Sequence, residues 1–249
     1  MKSIVCVKRV PDTETRIRIS GGETAVETAG VKYVLNPYDE FALEAALKQK
    51  EGAGEGQVTA VTVAGAEGAE ALRSALAMGA DDAVLLRAEG GLEGLAVAKL
   101  LAEEIRGRSY DLLLFGMKAV DDDLQAVGPM VAELLDIPAA TSVIEFATAD
   151  GRITAQREID GGVEVVELKL PCVLTMTKGS YKPRSASLKG IMAAKKKTIE
   201  DKAVQAPSAG IEVQKLSYPP ERTAGRIVGQ GADAVPELLR LLREEAKVL

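Results

Sequence analysis

The sequence has 249 residues, of which 47% are apolar and 27% are charged, and it carries a net charge of −6. This length suits one large domain or one domain with an appendage, and the acidic balance excludes a general attraction for nucleic acid or anionic membranes. Because the sequence contains no histidine, it excludes Ser-His-Asp catalysis, Cys-His catalysis and every His-dependent metal site.

Cysteine usage and the N-terminus bear on the cellular compartment. Cys6 and Cys172 lie far apart in apolar stretches, which is typical of buried free thiols in a reducing compartment. The apolar stretch in the opening MKSIVCVKRV is too short for a signal sequence or a membrane span. We therefore expect a cytoplasmic protein without direct membrane insertion.

Short apolar β-type runs alternate with Ala-, Leu- and Glu-rich helical segments through the first half of the chain. The predicted strands cover residues 3–10, 57–65, 82–87 and 110–116. The predicted helices cover residues 36–52, 67–79, 94–108 and 124–136. Strands without clean polar alternation, separated by helices, indicate a parallel sheet covered on both faces. The pattern predicts a three-layer α/β domain with right-handed crossovers.

The pattern changes after the fourth helix. Residues 141–176 contain alternating β segments, with turn signals at Asp150-Gly151 and Gly161-Gly162. Beyond Lys178 the chain is rich in Lys, Ser, Pro and Gly, which is typical of a long exposed arm. Residues 233–249 predict a short amphipathic helix. We expect the arm and this helix to grip a partner subunit; a floppy tail is the alternative.

Three adjacent aspartates, Asp121, Asp122 and Asp123, follow the strand that ends at Gly116. Adjacent carboxylates cannot all point at one ion, and the spaced acids of an EF-hand are absent, so the pattern disfavours a metal site. Acidic residues here can cap the N-terminus of a helix that begins near Leu124. The strand–Gly–loop–helix layout is also typical of anion sites at the carboxyl edge of open parallel sheets.

A nucleotide is the candidate ligand of this loop. Neither GxGxxG nor GxxxxGK[ST] occurs in it, so it belongs to neither common class of phosphate loop. Because carboxylates would repel a phosphate, they must face away or meet the sugar, while backbone amides near Gln125 to Val127 take the phosphate. The residues alone leave both helix capping and nucleotide binding open.

Several distinctive motifs occur in one order along the chain. They include VKRVPDTETRIRI, LNPYDEFALEAAL, ALAMGADDAVLL, GMKAVDDDLQAVGPMVAELL, LKGIMAAKKKTIE and PPERTAGRIV. The most specific is AQREIDGGVEVVELKLPCVLT, with a basic residue, an acid, paired glycines, an acid and a Pro-led β segment. In order and spacing, these motifs resemble the beta subunit of electron transfer flavoprotein, from residue 1 to about 230.

The resemblance implies a fold and a division of the chain. The fold would be a three-layer, parallel-sheet, Rossmann-like domain of the adenine nucleotide alpha hydrolase-like type, with an extended C-terminal arm. Residues 1–182 would form the adenine-nucleotide-binding domain. Residues 183–232 would form an arm with a client-recognition loop and a partner-wrapping segment, and residues 233–249 a helix that docks on the partner.

The resemblance also implies electron carriage rather than enzymatic catalysis. Such proteins are heterodimers in which an FAD, held mainly by a larger alpha subunit, accepts electrons from acyl-CoA dehydrogenases or similar flavoenzymes. The electrons pass one at a time to a membrane quinone oxidoreductase, which links the protein to fatty acid β-oxidation. The beta subunit shields one side of the flavin and holds a structural AMP in its own α/β domain.

Site residues follow from the resemblance position by position. The implied AMP contacts are Cys6, Asn36, Pro37, Tyr38, Asp39, Val63, Gly116, Met117, Lys118, Ala119, Val120, Asp121, Asp122, Asp123, Leu124, Gln125, Ala126 and Val127. Tyr38 would also lie towards the subunit interface and the partner's FAD, and Glu158 would position the mobile flavin domain. An apolar anchor for client dehydrogenases is implied at Leu188, Ile191 and Met192.

The sequence departs from the family pattern at several positions. Thr13 stands where many members have a Tyr near the flavin, and Ala126 and Val127 follow Gln125 where many AMP-type members have a hydroxyl residue. With a hydroxyl missing, the phosphate contacts would fall to backbone N–H groups, or the ligand would differ.

Two alternatives to an AMP-type electron carrier remain. VPDT and QAVGP are similar to the electron-bifurcating branch, whose beta subunit carries a second FAD, reduced by NADH, in place of AMP. That branch typically has Gly in the middle of the acidic triplet and then a small hydroxyl residue. Asp122 and Leu124 would crowd the larger cofactor, so AMP is favoured. The second alternative, a stand-alone adenine-nucleotide module, does not explain the long arm.

Overall fold

The computed structural model describes residues 1–208, 210–221 and 224–249, and in these ranges no helix combines the length and apolar character needed to cross a membrane. The strands are β1 (Lys2–Cys6), β2 (Arg9–Pro11), β3 (Tyr33–Leu35), β4 (Gln57–Ala64), β5 (Asp82–Arg87), β6 (Leu112–Gly116), β7 (Ala139–Ala149), β8 (Arg152–Ile159), β9 (Gly162–Lys169), β10 (Cys172–Met176) and β11 (Glu200–Ala203). The helices are α1 (Pro37–Ala53), α2 (Ala69–Met78), α3 (Gly94–Arg106), α4 (Val127–Leu135), α5 (Leu188–Lys196) and α6 (Val235–Glu244).

One large sheet organises the molecule, with strand order β11-β5-β4-β1-β6-β10-β7-β8-β9. Neighbouring strands from β11 to β7 are parallel, whereas β8 and β9 are added antiparallel at one edge. β2 and β3 pair as a separate antiparallel ribbon. The long apolar runs of the first half therefore form the buried centre of the sheet, as their lack of polar alternation predicts.

Helices cover both faces because side chains on a strand alternate in direction. In β1, Val5 packs into the core shared with α1 and α2, whereas Ile4 and Cys6 pack into the core shared with α3 and α4. Ala194 of α5 is buried on the α1 and α2 side. This arrangement confirms the predicted three-layer, Rossmann-like fold.

The start of α4 differs from the sequence prediction. The helix begins at Val127, three residues after the predicted start at Leu124. Asp123 and Gln125 have φ angles of 52° and 56°. Because this left-handed conformation is incompatible with a right-handed α-helix, the helix cannot extend back through these residues.

The β-rich region contains two tight turns. Asp150 and Gly151 connect β7 to β8, as predicted, with φ angles of 50° and 72°. Ile159 pairs with Gly162, so the turn between β8 and β9 consists of Asp160 and Gly161 and lies one residue before its predicted position.

The sequence led us to expect an extended arm at residues 183–232. The structure instead contains a helix and a strand in this range, α5 and β11. α5 packs against α2, and β11 adds a parallel strand beside β5 at the sheet edge. The guanidinium of Arg73 donates to the carbonyl oxygens of Ala194 and Lys197, which ties the end of α5 to α2. The α/β domain therefore continues through β11, beyond the expected boundary at residue 182.

The C-terminal part lies farther from the sheet. Leu216 N donates to Glu23 O at 2.6 Å, and Ile19 N donates to the hydroxyl of Tyr218 at 2.9 Å, so this segment contacts the connection between β2 and β3. The predicted amphipathic helix is present as α6, whose main packing partner is the 3-10 turn before it, Ala232–Ala234.

Candidate functional site

A cleft opens at the carboxyl edge of the parallel sheet, beyond β1, β4 and β6 and beside the N-termini of α3 and α4. Its empty volume is about 770 Å³, including the open mouth. The larger apolar side chains lining it are Val7, Val61, Val63, Leu92, Val97, Leu101, Phe115, Met117, Leu124 and Val127. The charged side chains are Lys8, Asp39, Lys118 and Asp122. Open parallel sheets bind ligands at this edge.

The carboxylate of Asp39 joins three elements beside the cleft. Its Oδ2 accepts a hydrogen bond from Lys8 N at 2.7 Å, and its Oδ1 accepts from Asn36 Nδ2 at 2.9 Å and from Gly116 N at 3.1 Å. A Cβ at position 116 would overlap Asp39 Oδ1, so glycine is required there. Burial raises the pKa of Asp39 to about 7, although the three donors oppose this rise. Asp39 thereby fixes the ends of β1 and β6 to the start of α1.

Both cysteines are buried free thiols, as the sequence predicts. Burial, followed by the nearby charge of Asp39, raises the pKa of Cys6 far above its usual value. Burial raises the pKa of Cys172 to about 12. Because the thiolate is the reactive form, Cys6 contributes a small uncharged surface to the cleft and no nucleophile.

Asn36 shapes the loop between β6 and α4. Its Nδ2 donates to Lys118 O at 2.8 Å, and its Oδ1 accepts from Val120 N at 3.2 Å. Its own carbonyl accepts from Asp39 N at 2.9 Å in the first turn of α1. Since Asn36 is only 1% exposed, it supports the loop from within the protein.

The acidic triplet is held by lysines. Lys8 Nζ lies 2.8 Å from both Asp121 Oδ1 and Asp122 Oδ2, and Lys118 Nζ lies 2.8 Å from Asp123 Oδ2. The lysines offset the negative charge that would repel an anionic ligand.

The expected capping of the helix by this triplet is wrong. Ala126 is the N-cap of α4, and its side chain makes no capping hydrogen bond. Asp122 Oδ1 instead accepts from Leu124 N at 3.1 Å, which stabilises the loop before the helix. The cause is the left-handed backbone at Asp123 and Gln125, which separates the aspartates from the helix.

Helix N-termini supply hydrogen-bond donors to the cleft. Val127 and Gly128, in the first turn of α4, line the cleft. The first N–H to donate within this helix is that of Met130, to Ala126 O at 2.9 Å, so the N–H groups of Val127 and Gly128 have no partner inside the helix. Gly94, the first residue of α3, also lines the cleft. Free backbone N–H groups and the positive ends of helix dipoles favour an anion. The cleft can therefore accept a ligand with one apolar part and one anionic part.

Comparison with known proteins identifies the family. Residues 24–207 match the family described as "Electron transfer flavoprotein domain". Proteins named "Electron transfer flavoprotein subunit beta" from Bradyrhizobium diazoefficiens and Bacillus subtilis are 42% and 38% identical to the chain, over the full length of both sequences. The protein of that name from Bos taurus is 38% identical over 98% of each chain. The chain belongs to the electron transfer flavoprotein family. The predicted resemblance to its beta subunit is confirmed.

The structure brings together most residues that the electron transfer flavoprotein resemblance implied for the nucleotide. Those lining the cleft are Cys6, Asp39, Val63, Gly116, Met117, Lys118, Ala119, Asp122, Leu124, Gln125, Ala126 and Val127. Those outside its lining are Asn36, Pro37, Tyr38, Val120, Asp121 and Asp123. Asn36, Asp121 and Asp123 have the supporting contacts described above. The ring of Tyr38 lies beside Lys118 Nζ, 5.7 Å from the ring centroid, and beside Phe41.

Sequence reasoning missed further lining residues. Among them are Lys8, Thr62, Leu92, Gly94 and Gly128. Lys8 directly follows the first strand, so its place at a carboxyl strand end was a usable signal. Gly94 carried no signal in the sequence. In the structure, a Cβ at position 94 would overlap Cδ2 of Leu124, so the glycine makes room for that side chain.

The other implied electron transfer flavoprotein sites lie away from the cleft. Glu158 is exposed on β8, opposite Val163 of the edge strand β9. Leu188, Ile191 and Met192 lie on α5 and are 78%, 40% and 55% exposed. Their spacing places them on one face of that helix, so the segment for which the resemblance implies a client anchor is helical instead of a loop.

Proposed function

We propose that this chain is the beta subunit of a heterodimeric electron transfer flavoprotein in the cytoplasm. It pairs with an alpha subunit that holds FAD and carries electrons from acyl-CoA dehydrogenases or similar flavoenzymes to a membrane quinone oxidoreductase. Its own cleft holds a structural AMP. The observation that carries the proposal is the cleft, which combines an apolar lining with free helix N-termini in a chain similar to electron transfer flavoprotein beta subunits over its full length.

The residues of the cleft fit AMP. The apolar lining suits an adenine ring, and the first-turn N–H groups of Val127 and Gly128 suit a phosphate. Ala126 and Val127 lack hydroxyl groups, but backbone donors need no particular side chain. Lys8 and Lys118 supply positive charge near the mouth while they neutralise the aspartates.

The same cleft is poorly suited to a second FAD. Leu124 lies against Gly94, so a side chain from the α4 loop meets the start of α3. Asp122 is held at the cleft by Lys8 Nζ, 2.8 Å away. Both side chains line the cleft and leave less room there than a Gly and a small hydroxyl residue would, which supports AMP over the bifurcating alternative.

The alpha subunit and its FAD would meet this chain elsewhere. FAD supplies reversible one-electron chemistry when it is bound. Tyr38 and Glu158 remain the residues predicted to face that flavin and its domain. α6 presents Val235, Leu238 and Leu239, which are 48%, 42% and 38% exposed, as an apolar face for a partner.

Electron transfer from a client tests the proposal. The heterodimer purified with its alpha subunit should have its flavin reduced by an acyl-CoA dehydrogenase and its substrate. A heterodimer that no acyl-CoA dehydrogenase reduces, although its flavin is bound and chemically reducible, would contradict the carrier role.

Leu188→Ala should lower the kcat/KM of this transfer roughly 10-fold, because one inserted apolar side chain can carry most of the energy of a weak docking site. KM for the heterodimer should account for the change, and flavin content should stay the same. Val165→Ala, a truncation of another exposed apolar residue at 63% exposure on β9, serves as the control. If Leu188→Ala leaves the rate of electron transfer unchanged at low heterodimer concentration, Leu188 has no docking role.

A further inference from the structure

We propose that residues 121–126 form a closing segment over the nucleotide cleft and that Lys8 and Leu124 are the positioning residues that keep it closed. The inference rests on the proposed nucleotide site and concerns how the ligand enters and leaves. In this account, the nucleotide exchanges only when the closing segment opens.

One side of the closing segment is held by charge. Lys8 lies just after β1, and its Nζ contacts Asp121 and Asp122, which are more than 100 residues away in sequence. The three side chains are 44%, 28% and 48% exposed, so salt can weaken the two pairs. Directly before the closing segment, the side chain of Asn36 holds the backbone by hydrogen bonds to Lys118 O and Val120 N. The closing segment thus starts from a fixed point and is then clamped by Lys8.

The other side is held by packing. Leu124 is 44% exposed, yet its Cδ2 lies against Gly94 at the start of α3. Both residues line the cleft. The contact therefore joins the closing segment to the start of α3 beside the ligand site.

The backbone is left-handed on either side of Leu124. Asp123 and Gln125 have φ angles of 52° and 56°, a conformation that Asp tolerates and that strains Gln125. These two residues direct Leu124 onto Gly94. Opening the closing segment would release the strain, so the closed state depends on the contacts of Lys8 and Leu124.

The rate at which AMP dissociates tests the proposal. The heterodimer would be loaded with labelled AMP and chased with excess unlabelled AMP. Lys8→Met and Leu124→Ala should each release AMP roughly 3- to 10-fold faster, whereas Lys8→Arg should stay near the wild-type rate. Gln125→Asn should release AMP roughly 2-fold more slowly, because Asn tolerates the left-handed conformation better and keeps the amide. At about 0.5 M salt, the difference between the wild type and Lys8→Met should shrink.

A double variant separates a clamp from a direct phosphate contact by Lys8. Removing the charges with Asp121→Asn and Asp122→Asn should speed release if Lys8 is a clamp. It should slow release if Lys8 binds the phosphate itself, because the aspartates would no longer compete or repel; that outcome would overturn the proposal. Lys32→Met is the matched control. It removes an ion pair outside the cleft, in which Lys32 Nζ lies 2.6 Å from Asp12 Oδ2, and it should leave the rate of AMP release unchanged.

Failure of the closing segment can be told apart from failure of the nucleotide site. A wild-type heterodimer that contains no adenine nucleotide and binds no AMP would refute the site and, with it, the closing segment. A wild type that retains AMP, with Lys8→Met and Leu124→Ala releasing it at the wild-type rate, would refute the closing segment alone. If either variant fails to fold, the slower release by Gln125→Asn and the double variant still decide the question.

Discussion

Asp39→Asn is expected to lower the free energy of unfolding by about 2–4 kcal/mol and to release the nucleotide. Both carboxylate oxygens accept hydrogen bonds, Oδ2 from Lys8 N and Oδ1 from Asn36 Nδ2 and Gly116 N. An Asn amide has one acceptor oxygen and one NH2 group. In either orientation, the NH2 group would face a backbone or side-chain donor, so at least one buried donor loses its partner.

The nucleotide should be lost because Asp39 fixes the surroundings of the cleft. Without it, the start of α1 and the ends of β1 and β6 are no longer tied together, and Asn36 loses one of the contacts that hold it beneath the loop. Urea unfolding and the AMP content of the purified heterodimer measure the two effects. Asp201→Asn, which removes an exposed pair with Arg87, is the control and should cost less than about 0.5 kcal/mol. Wild-type stability and AMP content in Asp39→Asn would refute this role of Asp39.

Arg184→Met is expected to lower the free energy of unfolding by about 2–3 kcal/mol. Arg184 Nε lies 2.7 Å from Glu44 Oε2, and its two other guanidinium nitrogens bond to Glu44 Oε1 at 3.0 Å and to Glu51 Oε1 at 2.6 Å. Glu44 is only 2% exposed. Losing the guanidinium would leave the buried carboxylate of Glu44 with one weak donor among the described residues, Arg184 N at 3.3 Å.

Adding Glu44→Gln to Arg184→Met should restore part of the lost free energy of unfolding, because a neutral amide costs less to bury unpaired than a carboxylate does. Arg240→Met is a matched control, since Arg240 also bonds two glutamates but lies exposed on α6, where solvent screens the pairs; its free energy of unfolding should stay close to that of the wild type. Equal losses for Arg184→Met and Arg240→Met would contradict the buried pair. Because Arg184 leads into α5, we also expect slower client docking through Leu188 in Arg184→Met.

The sheet and the edge that holds the cleft could be predicted from the sequence. The runs around Val5, Val61 and Leu113 lack polar alternation because both faces of their strands are buried. Parallel strands bring their carboxyl ends to one edge, so a glycine at the end of a strand, Gly116, indicated the position of the cleft.

The details of the site could not be predicted because they depend on contacts between distant residues. The clamp between Lys8 and the aspartates joins positions more than 100 residues apart. Residues 121–123 looked like a helix cap because their composition does not reveal the left-handed backbone at Asp123 and Gln125. α5 and β11 were hidden by a Lys-rich composition, and the contacts that hold them come from distant residues: Arg73 donates to the carbonyl groups of Ala194 and Lys197, and β11 pairs with β5.

Counting the cofactors of the purified heterodimer tests the central claim most directly. Denaturation should release one FAD and one AMP per heterodimer, because we propose that the cleft of this chain binds a mononucleotide and that the alpha subunit holds the flavin. Chromatography of the released nucleotides against standards gives both numbers. Two FAD and no AMP would contradict the account and would assign the chain to the electron-bifurcating branch.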